Sequence, residues 1–378
     1  MDNRAVQRHV AAEWRKPDLR EGFTTGACAA AAAKAAARAL LTGESLAEIT
    51  VDLPARQGVT FHLARCEIGS SSVLCGVIKD AGDDPDVTHG AEIQALVAWQ
   101  DARGITLAGG EGVGTVTKPG LAGEVGEPAI NPVPRRMITA AVNDEADEAG
   151  VNLNRRGMLV TINVPGGAEI AQQTLNPRLG IVGGISIIGT TGIVKPFSDS
   201  AYRGSIYVEL KVAAENGVRQ AVLTTGSRSE AYAQARYPNL PEMAFVQVGD
   251  HMDYALRQCR RLKFPQVMIA GMIGKISKLA EGRMQTHVSR GGVNMAFLAD
   301  LAGQLGADAA LVARLQTANT ARHVQTMLNK AGIAGLEAQL AQLAARHTHT
   351  YIQGALVIEV LLYDIRGDLL AAAQEPAE

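Results

Sequence analysis

Cysteine is scarce in this chain, and what there is does not pair up in sequence. Cys28, Cys66, Cys75 and Cys259 form no C-x-x-C pair and have no histidine at zinc-finger spacing. That pattern argues against a disulfide framework and a structural zinc site, and suits a reducing, cytoplasmic setting. Aromatic residues make up only 4%, so a stacking platform for single-stranded nucleic acid is not expected. Neither sign of charge dominates: the formal net charge is −2, which calls for no nucleic-acid partner. Apolar runs stay shorter than the roughly 18 residues of a membrane span, so none is expected. The N-terminal segment with Asp2, Arg4, Arg8, Glu13 and Arg15 lacks the apolar core of a signal peptide.

What is present is the composition of a globular protein: 47% hydrophobic and 20% charged over 378 residues, a length that fits two domains. The 40 glycines cluster in loops. Residues 26–41 are dominated by alanine and read as a helix, with Thr24 or Thr25 as N-cap and Gly43 as stop. Strand-like runs follow at Ile49–Leu53, Val59–Ala64, Ser72–Ile78 and Glu92–Trp99. The stretch Gly109–Val133 is too rich in Gly and Pro for one regular element. A helix is expected over Met137–Ala149 and a strand over Met158–Val164, an α+β order.

The second half changes rhythm. Helix-like Ser200–Asn216 leads into an alternation of strands (Gln220–Thr225, Ala244–Val248, Gln266–Ala270) with helices (Ser227–Arg236, His251–Leu262, Gly274–Gly282). Helices are expected within 293–346, a last strand at Val357–Ile365, and a disordered tail at Gln374–Glu378. The alternation argues for a parallel sheet. The expected division is therefore 1–196, an α+β domain, and 197–378, a small α/β domain with a four-stranded parallel sheet.

Ligands of open parallel sheets bind at the carboxyl ends of the strands. The first strand ends in Thr224-Thr225-Gly226-Ser227, the second is followed by Asp250, and the third by Gly271. A carboxylate after the second strand suits a nucleotide ribose; the plainer alternative is that Asp250 caps the next helix. G-x-G-x-x-G is missing, which disfavours an ordinary dinucleotide enzyme. Within Gly271–Gly291, Lys275 and Lys278 lie on one helix face, followed by Arg283, His287 and Arg290. This set could grip a polyanion, and His287 could move a proton; a solvated basic face is the alternative. The Gly109–Val133 loop lacks the Walker pattern and reads as a substrate loop, ending at Asn131, Arg135 and Arg136, the two arginines suited to carboxylates. Cys28 reads as a small buried packer.

Five segments carry a resemblance: GFTTGACAAAAAKAA at 22–36, GGEGVGTVTKPGL at 109–121, GEPAINPVPRRMI at 126–138, VPGGAEIAQQTLNPRLGIVGGISIIGTTGIVKPFS at 164–198, and Gly271–Gly291. Together they resemble the CbiD family over about residues 20–365, with Met272 a departure from the pattern. The resemblance implies a first domain related to a permuted ribosomal S5 domain 2-like fold. It implies methylation of cobalt-precorrin-5B at C1, with S-adenosylmethionine as donor, in oxygen-independent cobalamin biosynthesis. Any cobalt would come with the substrate, and no protein-bound metal is expected. On that basis Thr224, Thr225, Gly226, Ser227, Asp250 and Gly271 are expected at the methyl donor. His287, with Asp250 second, is expected to handle a proton. Thr24, Thr25, Gly26, Glu111, Asn131, Arg135, Arg136, Lys195, Lys275, Lys278 and Arg290 are expected around the carboxylate-rich macrocycle. A small-molecule kinase of S5-like fold and a non-catalytic tetrapyrrole-binding protein are the rival expectations, and a homo-oligomer is left open.

Overall fold

A computed structural model describes residues 19–378; the expectation for the segment up to Arg15 lies outside them. The chain divides into two compact units, one ending at Asp199 and the other running over Ser200–Glu378.

In the first unit the alanine-rich segment forms helix α1 (Thr25–Thr42). The Thr24 hydroxyl accepts from the Ala27 N–H at 3.2 Å, and Gly43, at φ 76°, closes the helix through its N–H to the Ala39 carbonyl at 2.9 Å. Strands β1 (Glu48–Leu53) and β2 (Arg56–His62) make a hairpin. Strands β3 (Arg65–Ile68), β4 (Ser72–Ile78), β5 (Glu92–Gln100), β6 (Ile105–Gly109) and β7 (Gly157–Asn163) form a sheet in the order β3-β4-β5-β7-β6. It is antiparallel except for β6 beside β7. Alternate residues Val73, Cys75, Val77, Ile93, Ala95, Val97, Met158, Val160 and Ile162 are buried in one core with α1. Helix α2 (Pro132–Glu148) packs along α1, whose small side chains allow close approach. Buried Glu145 of α2 receives the Arg38 guanidinium of α1 at 2.6 and 2.8 Å.

In the second unit, α3 (Asp199–Glu215) precedes β8 (Gln220–Thr224), α4 (Ser227–Arg236), β9 (Phe245–Gln247), α5 (Met252–Arg261), β10 (Gln266–Met272) and α6 (Ile273–Ala280). Helices α7 (Met295–Gln304), α8 (Ala309–Gln316), α9 (Ala321–Lys330) and α10 (Leu336–Tyr351) then lead to β11 (Val357–Tyr363) and β12 (Leu369–Glu375). The sheet order is β9-β8-β10-β11-β12: four parallel strands and an antiparallel fifth. Ala221 and Leu223 pack into one core with α3, α5 and α6, while Val222 packs into the other with α4, so both faces are covered.

Two expectations are corrected here. The sheet gains the fifth strand, and Gln374, expected in a loose tail, is paired in it opposite Glu359. Alanine at three consecutive positions, Ala371–Ala373, hides that strand from β propensity. No helix among the described residues is long and apolar enough to cross a membrane.

Candidate functional site

In the first unit three of the glycine-rich segments meet at the starts of α1 and α2. The Gly26 N–H donates to the Ile188 carbonyl and the Ile188 N–H to the Thr25 hydroxyl, both at 2.9 Å. A Cβ on Gly26 would lie 2.7 Å from Pro134 Cγ, so this contact admits only glycine. The Asn131 N–H donates to the Ile187 carbonyl at 3.0 Å, and the Thr24 N–H to the Gly192 carbonyl at 3.0 Å. The Gly109–Val133 loop is clasped to the same segment by the pairing of Thr115–Val116 with Ile181–Val182. Thr24, Thr25, Gly26 and Asn131 therefore sit together.

The charged residues expected with them divide. Arg135 is spent on its own loop, donating to the Ile130 carbonyl at 2.8 Å and to Glu127 at 2.9 Å. Arg136 is exposed on the next position of α2 and has no ion-pair partner among the described residues. It lines a groove of about 520 Å3 with Lys34, Leu53, Val133, Met137 and Thr190. Glu111 and Lys195 are exposed, and Glu111 joins the fold through its main chain, which bonds Val164 and Asn163.

A second feature of this unit went unread in the sequence. Lys79–Gly90 carries four aspartates, all tied down. Lys79, 1% exposed, donates to Asp86 Oδ2 at 2.7 Å, while Asp86 Oδ1 accepts from the Thr88 N–H and hydroxyl. Asp83 and Asp84 accept from the main-chain N–H groups of Arg20 and Phe197. The Arg20 guanidinium and the Gly82 N–H hold Asp80 down to about 2. The readable signal was the density of aspartate around Pro85 in a lightly charged chain. Among the described residues no cluster suits a metal ion.

In the second unit the expected residues converge at the carboxyl ends of β8, β9 and β10. The chain runs from β8 out to β9 and back past it to β10, so β8 and β10 flank the point where the order reverses, the usual ligand position of such sheets. There the Thr225 N–H donates to the Ala270 carbonyl at 3.2 Å. A Cβ on Gly271 would come within 3.2 Å of the Thr225 side chain. Gly226 precedes α4 without a side-chain cap, so the N–H groups at the start of that helix receive no hydrogen bond from the Gly226 position's side chain.

Asp250 lies beside this opening. Its Oδ1 accepts from the Lys275 ammonium and, at 2.8 Å, from the Thr286 hydroxyl; Oδ2 has no hydrogen-bond partner among the described residues. Burial pushes this carboxyl up, but Lys275 and Thr286 outweigh burial and hold it below its ordinary value. Asp250 is thus an ionised acceptor with one oxygen without a hydrogen-bond partner among the described residues, and it is not the cap of α5, whose N-cap position is His251.

The basic cluster does not act as one patch. Lys275 pairs with Asp250, and Lys278 is buried, donating to the Thr286 carbonyl at 2.7 Å. Burial, then Arg283 and Lys275, lower the Lys278 ammonium. Arg283 donates to the carbonyls of Arg290, Gly291 and Gly292, shaping the loop, while the Arg290 side chain is exposed. The Ser289 N–H donates to His287 Nδ1 at 3.1 Å. That bond occupies the basic lone pair and puts the neutral ring's proton on Nε2.

The CbiD family profile matches residues 12–196, and the profile "CbiD, C-terminal domain" matches 285–374. The cobalt-precorrin-5B C(1)-methyltransferase of Geobacillus kaustophilus is 50% identical over 358 residues, 95% of each chain. The enzyme of that name from Thermus thermophilus is 48% identical over 94% of this chain and 95% of its own. The 1.9 Å crystal structure of a cobalamin biosynthesis protein (cbiD) from Archaeoglobus fulgidus is matched over 88% of this chain and 93% of that one, at 24% identity and a TM-score of 0.39.

Proposed function

The chain belongs to the CbiD family, and on that footing we propose that it methylates C1 of cobalt-precorrin-5B, giving cobalt-precorrin-6A, with S-adenosylmethionine as donor. The observation that carries the donor site is the half-open carboxylate of Asp250 at the reversal point of a parallel sheet.

The residues present fit that donor. Asp250 Oδ2 accepts from the ribose hydroxyls, and Lys275 and Thr286 keep the carboxylate charged and aimed. Thr225, Gly226 and Ser227, with Gly271 opposite, form the edge along which the donor lies, where the first N–H groups of α4 favour an anionic group; Thr224, expected with them, is fully buried and turns its hydroxyl to the Val246 carbonyl, so it only supports that edge. Bound there, S-adenosylmethionine supplies an electrophilic methyl group on a sulfonium. Because the macrocycle carbon is itself the nucleophile, the protein's main work is to hold the two partners in line.

Asp250 is a poor general base, since its carboxyl is held well below neutral pH. His287 can take a ring proton only when Nδ1 leaves Ser289; with that bond closed it donates through Nε2. We assign it the proton-handling role, gated by Ser289. Arg136 and Lys195 in the first unit, and Arg290 in the second, each exposed and without a side-chain partner among the described residues, are the proposed carboxylate grips. Arg135, Lys275 and Lys278 instead brace the loops around them. Thr24, Thr25, Gly26 and Asn131 hold together the starts of α1 and of α2, the helix that carries Arg136, and Glu111 is assigned no grip. Within this proposal the first unit is a permuted S5 domain 2-like fold, supported by its mixed sheet with two packed helices, and the setting is cytoplasmic. Transfer of labelled methyl from S-adenosylmethionine to purified cobalt-precorrin-5B tests the reaction. ATP consumption instead would point to a kinase, and binding without donor turnover to a carrier.

A further inference from the structure

Cys66 and Cys75, outside both sites above, face each other across the hairpin of β3 and β4. Their register fixes the kind of pair. At the hairpin end the Gly69 N–H donates to the Ser72 carbonyl at 2.8 Å, so Gly69 and Ser72 form a hydrogen-bonded pair. Bonded and non-bonded pairs alternate along an antiparallel ladder. Counting back through Ile68–Val73 and Glu67–Leu74 makes Cys66–Cys75 a non-bonded pair. Such pairs bring α-carbons to about 4.5 Å and their side chains closest together, inside the span of about 4.4–6.8 Å that a disulfide bridges. The other two cysteines, Cys28 and Cys259, are fully buried in separate cores.

We propose that Cys66 and Cys75 are an oxidation site, closing to an intramolecular disulfide when a hydroperoxide acts as the two-electron oxidant. The exposures set the order of events: Cys66 is half-buried and Cys75 is fully buried. The Cys66 thiolate attacks a peroxide oxygen, the O–O bond breaks, and hydroxide leaves a sulfenic acid on Cys66. The Cys75 thiol then displaces the sulfenic oxygen, forming the S–S bond and releasing water. The sum consumes two thiols and one hydrogen peroxide and yields one disulfide and two waters. Burial and the neighbouring Cys66 sulfur push the Cys75 thiol up, which assigns Cys75 the resolving step and not the first attack.

Trypsin cleavage after Arg65 and Lys79 places both cysteines in one peptide, Cys66–Lys79, which makes the test direct. The folded chain is treated with hydrogen peroxide, alkylated, digested and weighed. We expect this peptide to escape alkylation and to be lighter by about 2 Da, the two hydrogens of a disulfide. Dithiothreitol should restore it, and the Cys28 and Cys259 peptides should be unchanged. In Cys66→Ser, which alters the half-buried position, the loss of mass should vanish and Cys75 should remain a free thiol. An alkylated peptide after peroxide, a sulfinic acid on Cys66, or a disulfide between two chains would each overturn the proposal.

Discussion

Lys275 donates to Oδ1 of Asp250 and leaves Oδ2 of the same carboxylate without a hydrogen-bond partner among the described residues. Asp250 is therefore charged, fixed and half-used. A carboxylate that only braced a loop would be expected to spend both oxygens, as Asp86 does on Lys79 and Thr88.

Replacing Asp250 with alanine removes that acceptor. Hydrogen bonds to charged groups contribute about 1.5–3 kcal/mol, so donor affinity should fall roughly 10- to 100-fold. Calorimetric titration with S-adenosylmethionine reads this, with melting temperature as the control for folding. Unchanged affinity would remove Asp250 from the donor site.

His287→Ala should lower the turnover number much more than it weakens donor binding. Ser289→Ala removes the hydroxyl contact at 2.6 Å to Nδ1 but keeps the main-chain N–H bond to it, so turnover should stay close to that of the wild type. A His287→Ala enzyme with full turnover would remove His287 from the proton-handling role.

The Lys79–Asp86 pair contributes to the stability of the first unit. Asp86→Ala strands a buried ammonium, a loss of about 3–5 kcal/mol, and at about 2–4 °C per kcal/mol for a unit of this size the melting temperature should drop by roughly 6–20 °C. Burial raises the Asp86 carboxyl, but Lys79 and Thr88 win and leave it lowered. A lowered carboxyl adds stability that is complete above its unfolded value of about 3.9 and fades as pH falls through the lower folded value. Acid titration of the wild type should therefore lose this contribution only below about pH 4, and Asp86→Ala should lack that component.

Gly22→Ala should destabilise the first unit by at least about 1–3 kcal/mol. A Cβ there would overlap the main chain of Ala81 and Gly82, and neither strand of backbone can yield as a side chain would. Chemical denaturation measures the change, and an unaltered midpoint would contradict the close approach.

Much of this architecture was legible because it follows period and punctuation. The alanine run with Thr24 and Gly43 at its ends reads as α1 without tertiary information, and the strand–helix alternation of 220–282 reads as a parallel sheet. Asp250 was singled out by its place after the second strand. What stayed hidden depends on partners distant in sequence. Nothing local to Lys278 says that its ammonium meets the main chain of Thr286, or that Arg135 turns back on Glu127. β3 and β12 are held by neighbours more than by propensity. The aspartates of Lys79–Gly90 act through backbone N–H groups, which a sequence does not display.

The most direct test is where the methyl group goes. With carbon-13-labelled S-adenosylmethionine, purified enzyme and cobalt-precorrin-5B, we expect one labelled methyl per macrocycle, at C1, with a matching amount of S-adenosylhomocysteine. Asp250→Ala should give the same product at a rate that recovers at high donor concentration. Label on another ring carbon, or donor left intact beside bound macrocycle, would contradict the assignment.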